Sequence, residues 1–91
     1  MRRHWVYILR CADGSLYTGC TSDLQRRVAL HNAGKASKYT RARTPVAVAY
    51  SEAAPSLSAA LKREAEIKKL SRSAKLLLCS GAAGGTSRSL R

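Results

Sequence analysis

A hairpin near the start of the chain constrains everything after it. His4 to Arg10 carries the β-formers Trp5, Val6, Tyr7 and Ile8 and reads as a strand. Asp13-Gly14 supplies a turn, and Ser15 to Cys20 reads as the returning strand. Loop length then decides which side chains share a face, because a one-residue slip turns every side chain to the other side. A two-residue Asp13-Gly14 loop puts Tyr7 and Tyr17 on opposite faces. A three-residue loop, Ala12-Asp13-Gly14 with Gly14 left-handed, puts Tyr7, Leu9 and Tyr17 on one face and Val6, Ile8 and Leu16 on the other. Segregation of an apolar core favours the second register, and so does cooperation between the two tyrosines.

The remaining elements follow from caps and breakers. Thr21 and Ser22 open a helix, Ser22 and Gln25 having the capping-box spacing. It runs to about Ala33 and stops at Gly34, which can take the left-handed C′ conformation. Lys35 to Thr44 reads as a basic loop, and Pro45 precedes a short third strand, Val46 to Tyr50. Pro55 and Ser56 lead into a helix from about Leu57 to Leu70, and Ser71 caps a last helix through Cys79. The order ββαβαα implies an α+β domain, a small three-stranded antiparallel sheet flanked by helices. That domain spans residues 1–79. Residues 80–91, rich in Gly, Ser and Ala with two arginines, are expected to form a flexible basic tail.

Ninety-one residues hold one domain with a modest core. Seventeen Lys and Arg against five Asp and Glu give a formal charge of +12. Self-repulsion at that charge is relieved by a polyanion, and nucleic acid fits best because neutralised phosphates release counterions. No stretch approaches the ~20 apolar residues of a membrane span, and no signal-peptide core is present, so a cytoplasmic protein is expected, monomeric by default. Cys11, Cys20 and Cys79 lack CxxC or Cys/His spacing and read as reduced thiols, not as a zinc site.

Five residues stand out chemically. Arg27 and His31 lie four apart, hence on one side of their helix. Arg27 suits a phosphate, since its guanidinium is permanently charged and forked. His31 can position water or phosphate or shuttle a proton; it also sits beside the Leu24/Val28 stripe, where a packed, hydrogen-bonded histidine is equally in keeping with the spacing. At about 100° per residue, Glu64 falls on one face with Leu57, Ala60, Leu61 and Ile67, while Glu66 points away. A carboxylate on that face requires either a basic partner or a cation, and spacing leaves both open. Tyr7 and Tyr17 complete the set.

These positions resemble the GIY-YIG nuclease domain. Trp5-Val6-Tyr7 stands at the first motif and Tyr17-Thr18-Gly19 at the second, with Arg27, His31 and Glu64 at matching later positions. Trp5-Val6 replaces the name-giving Gly-Ile and Thr18 the middle Ile, and neither change removes a reactive group. Leu24 to Gly34 and Ala60-Leu61-Lys62-Arg63-Glu64 are similar to the short stand-alone bacterial members, the YhbQ-like group related to the catalytic domain of UvrC. The resemblance implies a metal-dependent endonuclease hydrolysing phosphodiester bonds in DNA rather than RNA, on structured, damaged or single-stranded forms in repair or recombination. It implies one divalent ion, Mg2+ or Mn2+, on Glu64, charge stabilisation by Arg27, and water activation by Tyr7 or Tyr17. Arg26, Lys35, Lys38, Tyr39, Arg41 and Arg43 are the candidates for nucleic-acid contact. The alternative is a non-catalytic nucleic-acid-binding protein on the same scaffold.

Overall fold

The computed structural model describes residues 3–81. Three antiparallel strands, β1 (His4–Arg10), β2 (Leu16–Thr21) and β3 (Ala47–Ala54), form one sheet in the order β2-β1-β3. The register is that of the three-residue loop: Tyr7 faces Gly19 and Leu9 faces Tyr17. Gly14 makes this possible at φ +86°, with its amide donating to the Cys11 carbonyl at 2.9 Å. β3 is longer than the sequence implies and takes in Glu52, with a register shift opposite Ile8 and Leu9.

Alternation along β1 divides the interior into two layers. Val6 and Ile8 are fully buried against Ala60 and Ile67, and Tyr7, Leu9 and Cys11 are buried with Val46 on the opposite face. Burial of each such aliphatic contributes about 1.5–3 kcal/mol, so a one-residue slip of β1 would forfeit both layers.

Four helices flank the sheet. α1 (Leu24–Asn32) packs Leu24 and Val28 on the tyrosine face. Its cap is Asp23, which accepts from the Arg26 amide at 3.1 Å, and not the Ser22 box expected from spacing. A carboxylate at that position also complements the positive end of the helix. α1 ends at Asn32 with Ala33 as its C-cap, and Gly34 takes the expected left-handed turn at φ +77°. The basic loop contains a further short helix, α2 (Lys38–Arg41), capped by Ser37. α3 (Leu57–Lys68), capped by Ser56, covers the Val6/Ile8 face with Ala60 and Ile67, while Leu57 and Leu61 remain about half exposed. α4 (Arg72–Ser80) is capped by Ser71 and closed by Gly81. It therefore takes in Ser80, the first residue assigned to the tail; residues 82–91 of that tail lie outside the described residues.

Candidate active site

Gly19 allows the site to form. Tyr7 projects across β2 at this point, and a Cβ on residue 19 would lie 2.6 Å from the Tyr7 hydroxyl. A strand glycine marks such close approach. The Tyr7 hydroxyl reaches His31 Nε2 at 3.0 Å, and His31 Nδ1 meets Thr40 Oγ1 at 2.7 Å. His31 and Thr40 are fully buried. Thus α1 supplies the histidine, α2 holds its far nitrogen, and β1 supplies the phenol.

His31 is a packed histidine with both ring nitrogens engaged, one of them by the candidate catalytic Tyr7. Burial, then the nearby Arg27 charge, lowers its pKa below the ordinary imidazole value, which favours the neutral ring. Burial pushes the Tyr7 phenol well above its ordinary range. Tyr17, Cys20 and Glu64 push in the same direction, and Arg27 opposes them.

Tyr17 lies edge-on to His31 with ring centroids 5.2 Å apart and stacks on Tyr39 at 5.8 Å. The Arg43 guanidinium covers Tyr39 at 4.0 Å from its centroid and also pairs with Asp13 at 3.1 Å. Arg43 and Tyr39 are therefore committed to one another and to the hairpin turn. Lys35, Lys38 and Arg41 line a separate concavity of about 410 Å3 with Ser37. Arg26 and Arg27 line another, of about 250 Å3, between Thr21 and Leu30.

Glu64 arrives from the other layer. It is on α3, which packs against the Val6/Ile8 face, and it meets the edge strand β2 where Cys20 Sγ donates to its Oε1 at 3.5 Å. Tyr7, Tyr17 and His31 are therefore in contact on one face, whereas Glu64 meets β2 from the opposite layer and Arg27 lines the hollow beside Thr21. The carboxylate is 17% exposed, and its Oε2 pairs with Lys68 Nζ at 3.1 Å, one turn along a helix where Lys68 is 55% exposed. Among the described residues, no group of three or more His, Cys, Asp or Glu is placed to hold a metal ion. One accessible carboxylate with a displaceable ammonium fits a sparsely held ion, such as Mg2+, that completes its shell with water and substrate phosphate.

Sequence reasoning missed Thr40, Gly19 as the seat of Tyr7, and Cys20 beside Glu64. A strand glycine was the available signal for Gly19, and Ser37 three residues before Thr40 marked a cap. Nothing local connects Cys20 with Glu64.

A three-stranded antiparallel sheet flanked by helices, with a tyrosine–histidine pair on one face and a glutamate reaching the edge strand from the other, makes a small α+β domain. Residues 3–76 match the GIY-YIG catalytic domain, and the chain belongs to that family. A UPF0213 protein of Staphylococcus haemolyticus is 53% identical over 76 residues, covering 84% of this chain and 93% of the relative. One from Halobacterium salinarum is 56% identical over 72 residues, covering 79% and 94%. The solution NMR structure of a UPF0213 protein from Bacillus halodurans is similar with a TM-score of 0.57 at 47% identity, covering 91% of this chain and 88% of that one. Among the described residues no helix is long and apolar enough to cross a membrane.

Proposed function

We propose that this chain is a cytoplasmic, divalent-metal-dependent endonuclease that hydrolyses phosphodiester bonds in DNA. The observation that carries the reading is the Tyr7–His31–Thr40 hydrogen-bonded chain aimed at the β2 edge where Glu64 arrives. Glu64 would hold the divalent ion, Mg2+ or Mn2+, which when bound would supply Lewis-acid stabilisation of charge on the phosphate. Arg27 binds a non-bridging oxygen of that phosphate and stabilises the charge that grows there.

Tyr7 accepts a proton from the attacking water while its own proton passes to His31 Nε2, and after cleavage His31 hands that proton back to Tyr7 as Tyr7 releases one to solvent. The high cost of a buried phenolate makes this coupled transfer preferable to a standing phenolate. Thr40 Oγ1 accepts from His31 Nδ1–H and so fixes the tautomer whose Nε2 lone pair faces Tyr7. The water oxygen forms the new bond to phosphorus as the bridging phosphorus–oxygen bond breaks, and the leaving oxygen takes a proton from solvent. Tyr17 packs beside His31 and holds its ring in place.

The test uses wild type, Glu64→Gln and Tyr7→Phe on labelled duplex, single-stranded and branched DNA and on RNA, with Mg2+, Mn2+ or EDTA. Wild type cuts DNA only with metal, and each variant loses activity by about 10²–10³-fold or more. Glu64→Gln leaves the fold intact, because glutamine keeps the side chain's shape and the Lys68 ammonium that loses its partner stays in solvent. A wild type that binds these nucleic acids and cuts none in either metal overturns the reading in favour of binding alone.

A further inference from the structure

Trp5 is the chain's single tryptophan, and it packs with neither of the two apolar layers. It is half-buried and makes no hydrogen bond or ring contact among the described residues. Alternation along β1 puts it on the same face as Tyr7, two residues or about 6.7 Å along the strand. Its neighbour across β3 is Ala53, and the neighbour of Tyr7 there is Ser51; both are small and exposed, so this side of β3 is open. Its neighbour across β2 is Thr21. Paired side chains of antiparallel strands have Cβ atoms about 4.5–5.5 Å apart, so Trp5 stands beside the hollow that Thr21 lines with Arg26 and Arg27. Asp23, the acid of that lining, is committed to the Arg26 amide.

We propose that Trp5 is a stacking site for one unpaired nucleobase, the base of the nucleotide whose phosphate Arg26 and Arg27 bind. The inference rests on the nucleic-acid-binding part of the proposed function and adds the feature of the strand that this sheet face reads. Every base has a π-face, so stacking on an aromatic side chain is indifferent to sequence. It is not indifferent to pairing, because a base inside a duplex has both faces covered by its neighbours and must be splayed out to reach an aromatic. Trp5 therefore adds affinity for a single strand, a loop or a frayed end. The two arginines act on phosphates and do not distinguish these from duplex.

The test titrates the full chain in EDTA with a thymidine strand of about ten nucleotides, an abasic strand of the same length and a blunt duplex. Trp5 emission, which no other tryptophan obscures, reports stacking, and anisotropy of the labelled nucleic acid reports affinity. The thymidine strand quenches the emission of wild type, whereas the abasic strand and the duplex bind through charge and leave it near its free value. Trp5→Leu weakens binding of the thymidine strand about 5- to 150-fold, the range for losing one stacked base, and leaves the other two affinities unchanged. Trp5→Phe, which keeps a ring, recovers most of the loss. Unchanged wild-type emission at saturation with the thymidine strand overturns the inference, and this needs no variant to fold. A Trp5→Leu loss equal on all three nucleic acids assigns the indole to the fold and overturns it as well. Quenching by a protein that cuts nothing with Mg2+ or Mn2+ upholds the stacking site and overturns the nuclease reading, and metal-dependent cleavage without quenching does the reverse.

Discussion

Gly19 shows how one missing side chain fixes a reactive one. A Cβ at this position would lie 2.6 Å from the Tyr7 hydroxyl and 2.8 Å from its ring carbon Cζ, so Gly19→Ala forces the phenol away from His31. Cleavage is expected to fall about 10²-fold, the scale of a misplacement near 1 Å. Gly19→Ala combined with Tyr7→Ala relieves the clash and recovers thermal stability without recovering turnover. Steady-state cleavage and melting temperature on the two variants separate the effects. The same residues set a pH dependence. His31 has a folded pKa depressed below its unfolded value of 6.5, so between those values the unfolded chain binds more protons. Stability is therefore complete above pH 6.5 and declines as pH falls through that window, as urea melts across the acid range should record. Tyr7 acts at the other end: its folded pKa lies above the unfolded value of 10.0, and stability declines as pH rises beyond 10.0. Replacing His31 by Gln is expected to remove the part of the acid-side decline that the imidazole causes.

The helices are joined to the sheet by side chains that bind backbone. Asn32, at the end of α1, accepts from the Val46 amide at 2.7 Å and donates to the Val46 carbonyl at 3.1 Å, tying the helix to the approach of β3. Asn32→Ala breaks both bonds and is expected to cost about 1–2 kcal/mol, since a net protein hydrogen bond contributes about 0.5–1.5 kcal/mol. For a domain this size that is a fall of about 4–8 °C in melting temperature per kcal/mol, measurable by calorimetry. The sheet and its register were legible in the sequence because alternation in Trp5–Leu9 and a Gly at the loop's third position answer to the same constraint. α3 and α4 were legible from Ser56 and Ser71, each of which accepts from the amide three residues on. α2 was not, because four residues are too few for periodicity to appear. The α1 cap falls on Asp23 instead of Ser22 because two adjacent residues offer the same chemistry, and only the turn of the backbone decides between them. Among the candidate site residues, the contact of Tyr7 and Tyr17 with His31 was legible, since the three-residue loop puts both tyrosines on one face. Approach of Glu64 from the opposite layer, and the hydrogen bond from His31 to Thr40, depend on tertiary packing that no local pattern encodes.

Across the whole molecule, charge is arranged so that an arriving polyanion meets few unpaired acids. Each of the five acidic side chains has a local partner: Asp13 with Arg43, Asp23 with the Arg26 amide, Glu52 and Glu66 with Arg63, and Glu64 with Lys68. Their charges are thus partly neutralised in place, while Lys35, Lys38 and Arg41 surround a concavity just beyond the C-terminal end of α1. If these three residues bind backbone phosphates, they act through counterion release, which grows with the number of phosphates neutralised and is indifferent to sequence. Neutralising all three to Gln is expected to weaken DNA binding at low salt. It should also flatten the plot of log affinity against log salt, by about 0.9 for each duplex phosphate left without its cation. Arg43→Gln is expected to behave differently. Its guanidinium is already engaged by Asp13 and Tyr39, so the change should lower stability more than it lowers the salt slope. Fluorescence anisotropy on a short labelled duplex at a series of salt concentrations, run beside a thermal melt, distinguishes the two classes. A triple variant whose slope matches wild type would remove the concavity from the binding surface and shift the phosphate contacts to other cations, Arg26 and Arg27 beside Thr21 being the next pair to neutralise.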